Sequence, residues 1–222
     1  MKSEAVVIDP GAKAAAKAAS DGGAVKPTAP TGPSYVAAAG RWPFSLIVDE
    51  LVGHLASPIW HVRHGAALSL RSLLGSQGGS GGKVAGASAV ENARDQAIWA
   101  SGVARALLDV LALDRFVDFV GDHAVAPVRE AASMALASLA PHLQGRLLGD
   151  VRSALLDMAS RRAKTGWQMR HAGLLGLKHV VAIGGEVLEG PDLLRIVDAA
   201  VLGCVGPRNE AVLILQALRR RR

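Results

Sequence analysis

A recurring trio of residues constrains the fold of this chain more than anything else in it. Val62-Arg63 is followed by Ala66 and Leu70, Val128-Arg129 by Ala132 and Leu136, and Met169-Arg170 by Gly173 and Leu177. Pro207-Arg208, with Ala211 and Leu215, reads as a fourth copy. In each, a small residue stands three positions after the arginine and a leucine seven after it. Those spacings bring residues onto one face of an α-helix and do not suit a strand. Successive arginines are 66, 41 and 38 residues apart. A period of about 40 residues is that of helical-hairpin repeats of the HEAT type. The longer first interval holds a glycine-rich stretch, Gly75 to Gly82.

An apolar segment precedes each copy, over residues 42–55, 95–119, 147–158 and 191–202. Each unit then reads as helix, turn, helix, with the small residue letting paired helices approach closely. One such pair cannot bury its apolar stripe, but stacked pairs can. The apolar half of the composition is mainly Ala, Leu and Val with 4% aromatics, which favours close-packed helices. The expected fold is therefore all-α, a HEAT/ARM-like solenoid of about three to four units. Its expected parts are a disordered leader (1–40), unit 1 (41–75), a flexible Gly-rich linker (76–92), unit 2 (93–145), unit 3 (146–186) and a partial or altered unit 4 with an Arg tail (187–222).

Arg63, Arg129, Arg170 and Arg208 are expected in the first turn of their helices. There the macrodipole disfavours a cation, so each calls for a compensating partner on a neighbouring turn or unit. Trp42, Trp60 and Trp167 stand at helix starts, where packing between units is the first expectation and an interface anchor the second.

The net charge of +6 invites a nucleic-acid reading. Residues 41–206, however, carry 16 basic and 15 acidic residues, while 207–222 carry five arginines and one glutamate. The basicity sits in the tail Arg219-Arg220-Arg221-Arg222, and a nearly neutral body is not the footprint of a DNA-tracking surface. The single cysteine, Cys204, allows no internal disulfide. No stretch reaches the roughly 18 uncharged apolar residues of a membrane span.

Candidate chemistry is sparse. The glycines before Lys83 fail as a P-loop, because Gln77 and Val84 stand where Gly and Ser or Thr are required. His61 and His64 have a chelating spacing but no second pair to complete a metal site. Asp114 and Asp118, four apart on one helix face and with Arg115 nearby, suit a solvated or capping role better than acid–base work. No catalytic, cofactor-binding or metal-binding residue is expected, and no small-molecule substrate. Arg161-Arg162-Ala163-Lys164 is the densest charge in the body and falls in the turn inside unit 3. The first reading is a solvated turn whose cations suit the carboxyl end of the preceding helix; because such turns line one edge of a solenoid, Arg161, Arg162 and Lys164, together with Lys83, are the candidate partner contacts.

Several stretches go beyond repeat spacing. They are Arg41-Trp42-Pro43-Phe44, Trp60-His61-Val62-Arg63-His64-Gly65-Ala66, Ser80-Gly81-Gly82-Lys83, Ala112-Leu113-Asp114-Arg115-Phe116-Val117-Asp118-Phe119-Val120, Val125-Ala126-Pro127-Val128-Arg129-Glu130 and Trp167-Gln168-Met169-Arg170-His171. With Gly173-Leu174-Leu175-Gly176-Leu177-Lys178, they resemble the TATA-binding-protein-associated ATPases, the modifier-of-transcription family of Swi/Snf type. The resemblance implies an amino-terminal HEAT solenoid that grips the TATA-binding protein, in the nucleus, and an ATPase part that removes that protein from DNA. This chain would correspond to part of the solenoid, and nothing in it shows helicase-type motifs. The reading is a protein-binding scaffold without catalysis of its own. The alternatives are a nucleic-acid-binding accessory segment acting through the Arg tail, or a HEAT adaptor for another protein.

Overall fold

The computed structural model describes residues 40–120, 123–160, 167–183 and 190–204, all within the compact part of the chain that starts at Ala37. The described residues form seven α-helices: α1 (Ser45–His54), α2 (Trp60–Gln77), α3 (Ala89–Leu113), α4 (Pro127–Leu139), α5 (Arg146–Ala159), α6 (Trp167–Ile183) and α7 (Gly190–Cys204). A two-stranded antiparallel hairpin, β1 (Asp118–Val120) with β2 (His123–Val125), lies between α3 and α4.

Local chemistry sets several of the starts. Ser88 accepts from the Glu91 backbone N–H while the Glu91 carboxylate accepts from the Ser88 N–H, a capping box that opens α3. Pro127 takes the first position of α4, where its missing N–H costs nothing. Gly145, at φ +58°, turns the chain into α5 through a conformation that other residues avoid.

The helices fall into two layers. The second helices, α2, α4 and α6, lie side by side, α2 against α4 and α4 against α6. The first helices back them: α1 packs on α2, α3 on α4 and α6, α5 on α3 and α6, and α7 on α5 and α6. The core sits between the layers. The trio that recurs in the sequence supplies its centre: Leu70, Leu136 and Leu177 are fully buried, as are Ala66 and Ala132. Gly173 shows why a small residue is needed, since a β-carbon there would stand 2.5 Å from the Ala159 amide nitrogen and 2.6 Å from the Leu155 carbonyl oxygen. The backbones of α5 and α6 touch at that point.

Two expectations need correction. The helix read over 95–119 starts earlier, at Ala89, and ends at Leu113; Asp114 leaves it in an extended conformation, and Asp118 lies in β1. Asp114 and Asp118 therefore share no helix face. Asp114 is also 5% exposed, not solvated.

The stretch 76–92, read as a flexible linker, is a packed connection. Helix α2 runs to Gln77 and a 3-10 turn, Gly78–Ser80, follows. Gly78 is buried, and a β-carbon on it would come 2.5 Å from the His142 ring. One on Gly81 would collide with the Trp99 ring. The Gln96 amide donates to the Gly79 carbonyl at 3.0 Å, and Arg41 pairs with Val84 in an antiparallel bridge. These glycines are there because other groups occupy the space, not to loosen the chain. Residues 1–39 and 205–222 lie outside the described residues, so the leader and Arg208 are not placed.

Candidate partner-binding edge

The side-by-side arrangement of α2, α4 and α6 brings the recurring arginines to equivalent places in the first turn of each helix. Each described partner resolves the clash with the helix dipole differently. Arg63 donates through Nη1 to the carbonyls of Ser57 (2.8 Å) and Pro58 (3.1 Å), holding the α1–α2 turn. Its Nε and Nη2 both reach Asp114 Oδ1, the former at 3.1 Å. The carboxylate sits just past the end of α3, so the ion pair ties the first helical pair to the second. Arg129 is fully buried; Nη1 donates to the Gln168 carbonyl at 3.0 Å, and the guanidinium lies over the Trp167 ring, 5.8 Å from its centroid. This side chain ties α4 to the start of α6. Arg170 is half-buried at the equivalent place on α6.

The tryptophans at this edge are packed and exposed at once. Trp60 stacks on Phe116, with centroids 4.2 Å apart and planes at 4°, yet is 37% exposed. His61 approaches the Trp60 ring edge-on at 5.8 Å and His64 lies tilted at 6.2 Å, so the histidine pair is spent on the indole. Trp167 is 41% exposed, with His171 edge-on at 6.4 Å. Ile59, just before α2, is exposed as well. Trp42 behaves otherwise: it is buried against Trp99 and Phe44, away from the edge.

Adjacent packed helices lie about 8–10 Å apart. With α4 between α2 and α6, Trp60 and Trp167 stand roughly 20 Å apart along one edge. Two large amphipathic side chains at that separation, Trp60 stacked on Phe116 and Trp167 facing the Arg129 guanidinium, form a surface suited to a protein partner. Aromatic anchors of this kind carry most of the binding energy in interfaces.

The other candidate contacts fare differently. Lys83 is half-exposed and follows the far end of α2; that helix of 18 residues is about 27 Å long, so the lysine does not join Trp60. Its carbonyl accepts from the Trp42 N–H at 3.3 Å. Arg161, Arg162 and Lys164 lie outside the described residues, as do Arg219 to Arg222. Among the described residues no three His, Cys, Asp or Glu side chains converge on a common point. Sequence reasoning missed Phe116 and the pairing role of Asp114. The available signal was Asp114-Arg115-Phe116 itself, an acid and one of only three phenylalanines directly after an apolar helix.

No protein-family model matches the chain. Individual relatives do. The chain is 35% identical over 160 residues to the human TATA-binding protein-associated factor 172, covering 72% of this chain and 8% of that protein. It is 36% identical over 167 residues to the TATA-binding protein-associated factor MOT1 of Saccharomyces cerevisiae, covering 72% of this chain and 9% of the relative. With the Aspergillus fumigatus factor mot1 it shares 34% identity over 182 residues, 80% of this chain and 10% of the relative. The chain thus spans a tenth or less of the length of these relatives. By sequence it belongs to the TATA-binding-protein-associated factor family, as the counterpart of one segment of those proteins.

Proposed function

We propose that this segment is a HEAT-type scaffold that binds the TATA-binding protein through the edge carrying Trp60 and Trp167, as part of transcription regulation in the nucleus. The observation that carries the reading is the exposed Trp60–Phe116 stack, which joins the same two chain segments as the Arg63–Asp114 pair. The relatives' shared name supplies the partner. The two-layer arrangement of consecutive helical pairs supports the solenoid. The role is docking without catalysis; ATP-dependent removal of the partner from DNA, if the whole protein performs it, belongs to another segment.

The reading is tested by retention of purified TATA-binding protein on the immobilised 222-residue chain. Trp60→Ala with Trp167→Ala is expected to weaken retention by about tenfold or more, the scale of a lost hot spot, while circular dichroism shows the helices intact. The reading fails if the unaltered chain retains nothing, or if the folded double variant binds as well as the parent.

A further inference from the structure

The charges of the helices are sorted by layer. Helices α2, α4 and α6 together carry five basic residues (Arg63, Arg71, Arg129, Arg170, Lys178) and a single acid, Glu130. Helices α1, α3, α5 and α7 carry nine acidic and five basic residues. The layers thus bear net charges of +4 and −4, which the near-zero total over 41–206 conceals.

On the α2–α4–α6 layer Arg71 is exposed on α2 and Lys178 half-exposed on α6, and among the described residues neither forms an ion pair. Both are close enough to His179 for their charges to act on it. That histidine is half-buried, and its Nε2 is buried without a hydrogen-bond partner among the described residues. Burial first, and then Lys178 and Arg71, push it down to about 4. Between these groups runs α4, which offers only Met134 and Ser138 to the same end of the face; a β-carbon on Gly75 of α2 would stand 3.9 Å from Ser138 Oγ. Glu130 sits eight residues before Ser138, about 12 Å away along the helix. Among the described residues the titratable groups toward this end of the layer are Arg71 on α2, Lys178 and His179 on α6, and His142 in the turn after α4, whose Nε2 lies 3.2 Å from the Leu74 carbonyl.

We infer that this face is a second docking surface, distinct from the tryptophan edge, that takes an acidic segment of a partner protein with its carboxylates against Arg71 and Lys178. Charge complementarity favours that occupant, since carboxylates would meet two cations that no described carboxylate pairs with. The floor of Met134 and Ser138 accepts an apolar side chain between them. A nucleic-acid backbone fits less well, because phosphate tracking draws its affinity from many cations in a row, and among the described residues this face offers two without an ion pair.

The test uses the full chain and a labelled Asp- and Glu-rich peptide carrying a few leucines. Binding is followed by anisotropy and by the His179 ring resonances. The peptide is expected to bind, to shift the His179 resonances, and to lose about tenfold or more in affinity with Arg71→Glu and Lys178→Glu. Both substitutions lie at solvent, and the milder Arg71→Gln with Lys178→Gln repeats the test should the reversal disturb folding. Retention of the TATA-binding protein is expected to survive these changes, which separates this surface from the edge. No binding, undiminished binding by the folded variants, unmoved His179 resonances at saturation, or stronger binding of duplex DNA at the same salt would each overturn the inference.

Discussion

Replacing Asp114 by asparagine isolates the ion pair on which the partner edge rests. Asparagine keeps the shape and one acceptor oxygen, so the 3.1 Å bond from Arg63 Nε can persist while the charge disappears. The Asp114 side chain is 1% exposed and that of Arg63 17% exposed. Breaking a buried pair by removing one partner costs about 3–5 kcal/mol. Here Arg63 keeps some water and the carbonyls of Ser57 and Pro58, so the expected loss is smaller, about 2 kcal/mol. Urea unfolding with a slope of about 2 kcal/mol/M would show the midpoint falling by about 1 M. Thermal unfolding would show a drop of about 4–8 °C for a domain of this size. A cycle with Arg63→Met measures the coupling directly. The reasoning is refuted if Asp114→Asn costs less than about 0.5 kcal/mol, or if the two substitutions add without coupling.

Three further outcomes follow from the geometry. Gly173→Ala forces a β-carbon onto the α5 backbone and should cost about 2–3 kcal/mol, whereas Gly65→Ala, with nothing within 4 Å, should stabilise by about 0.5–1 kcal/mol; thermal unfolding of both decides. His179 titrates near 4 in the folded chain against an ordinary 6.5. The unfolded chain therefore takes up the proton first, so stability is full above 6.5, falls as pH drops toward 4, and this part of the slope disappears in His179→Gln. Arg129→Lys should cost about 2–3 kcal/mol although the charge is kept, because a lysine cannot both reach the Gln168 carbonyl and lie flat on Trp167; denaturant midpoints compare it with Arg63→Lys, where partial exposure predicts a smaller loss.

What could be read from the sequence was what depends on near neighbours along a helix. The spacing of Ala66 from Leu70, and of Ala132 from Leu136, is a statement about one helix face, and all four residues are buried. The opening of α4 at Pro127 is equally local. The misreadings all involve partners far away in the chain. Asp114 ends its helix facing an arginine 51 residues earlier, and no period carries that information. Gly81 makes room for Trp99, so its lack of a side chain serves packing, while in the sequence it is indistinguishable from a glycine that serves flexibility. Trp60 was expected to pack between units; it does, on Phe116, but the same residue also keeps over a third of its surface open. Burial and exposure of one indole cannot both be inferred from its place at a helix start.

The recurring arginine explains why the pattern persists while its partners change. Arg63 is answered by a carboxylate and two carbonyls, Arg129 by a carbonyl and an indole face. A guanidinium can use all of these, because it is planar, multiply donating and weakly hydrated. In both described cases the side chain reaches forward, Arg63 to the end of α3 and Arg129 to the start of α6. Each helical pair is thereby fixed to the one that follows it. The exposed tryptophans adjoin these links, Trp60 by stacking on Phe116, two residues after Asp114, and Trp167 by facing Arg129 itself. A partner that grips the edge would consequently feel any change in how successive pairs are set against one another. The couplings that stabilise the row also fix the spacing of its two anchors, so a substitution at Arg63 or Arg129 should impair partner binding even where the chain stays folded.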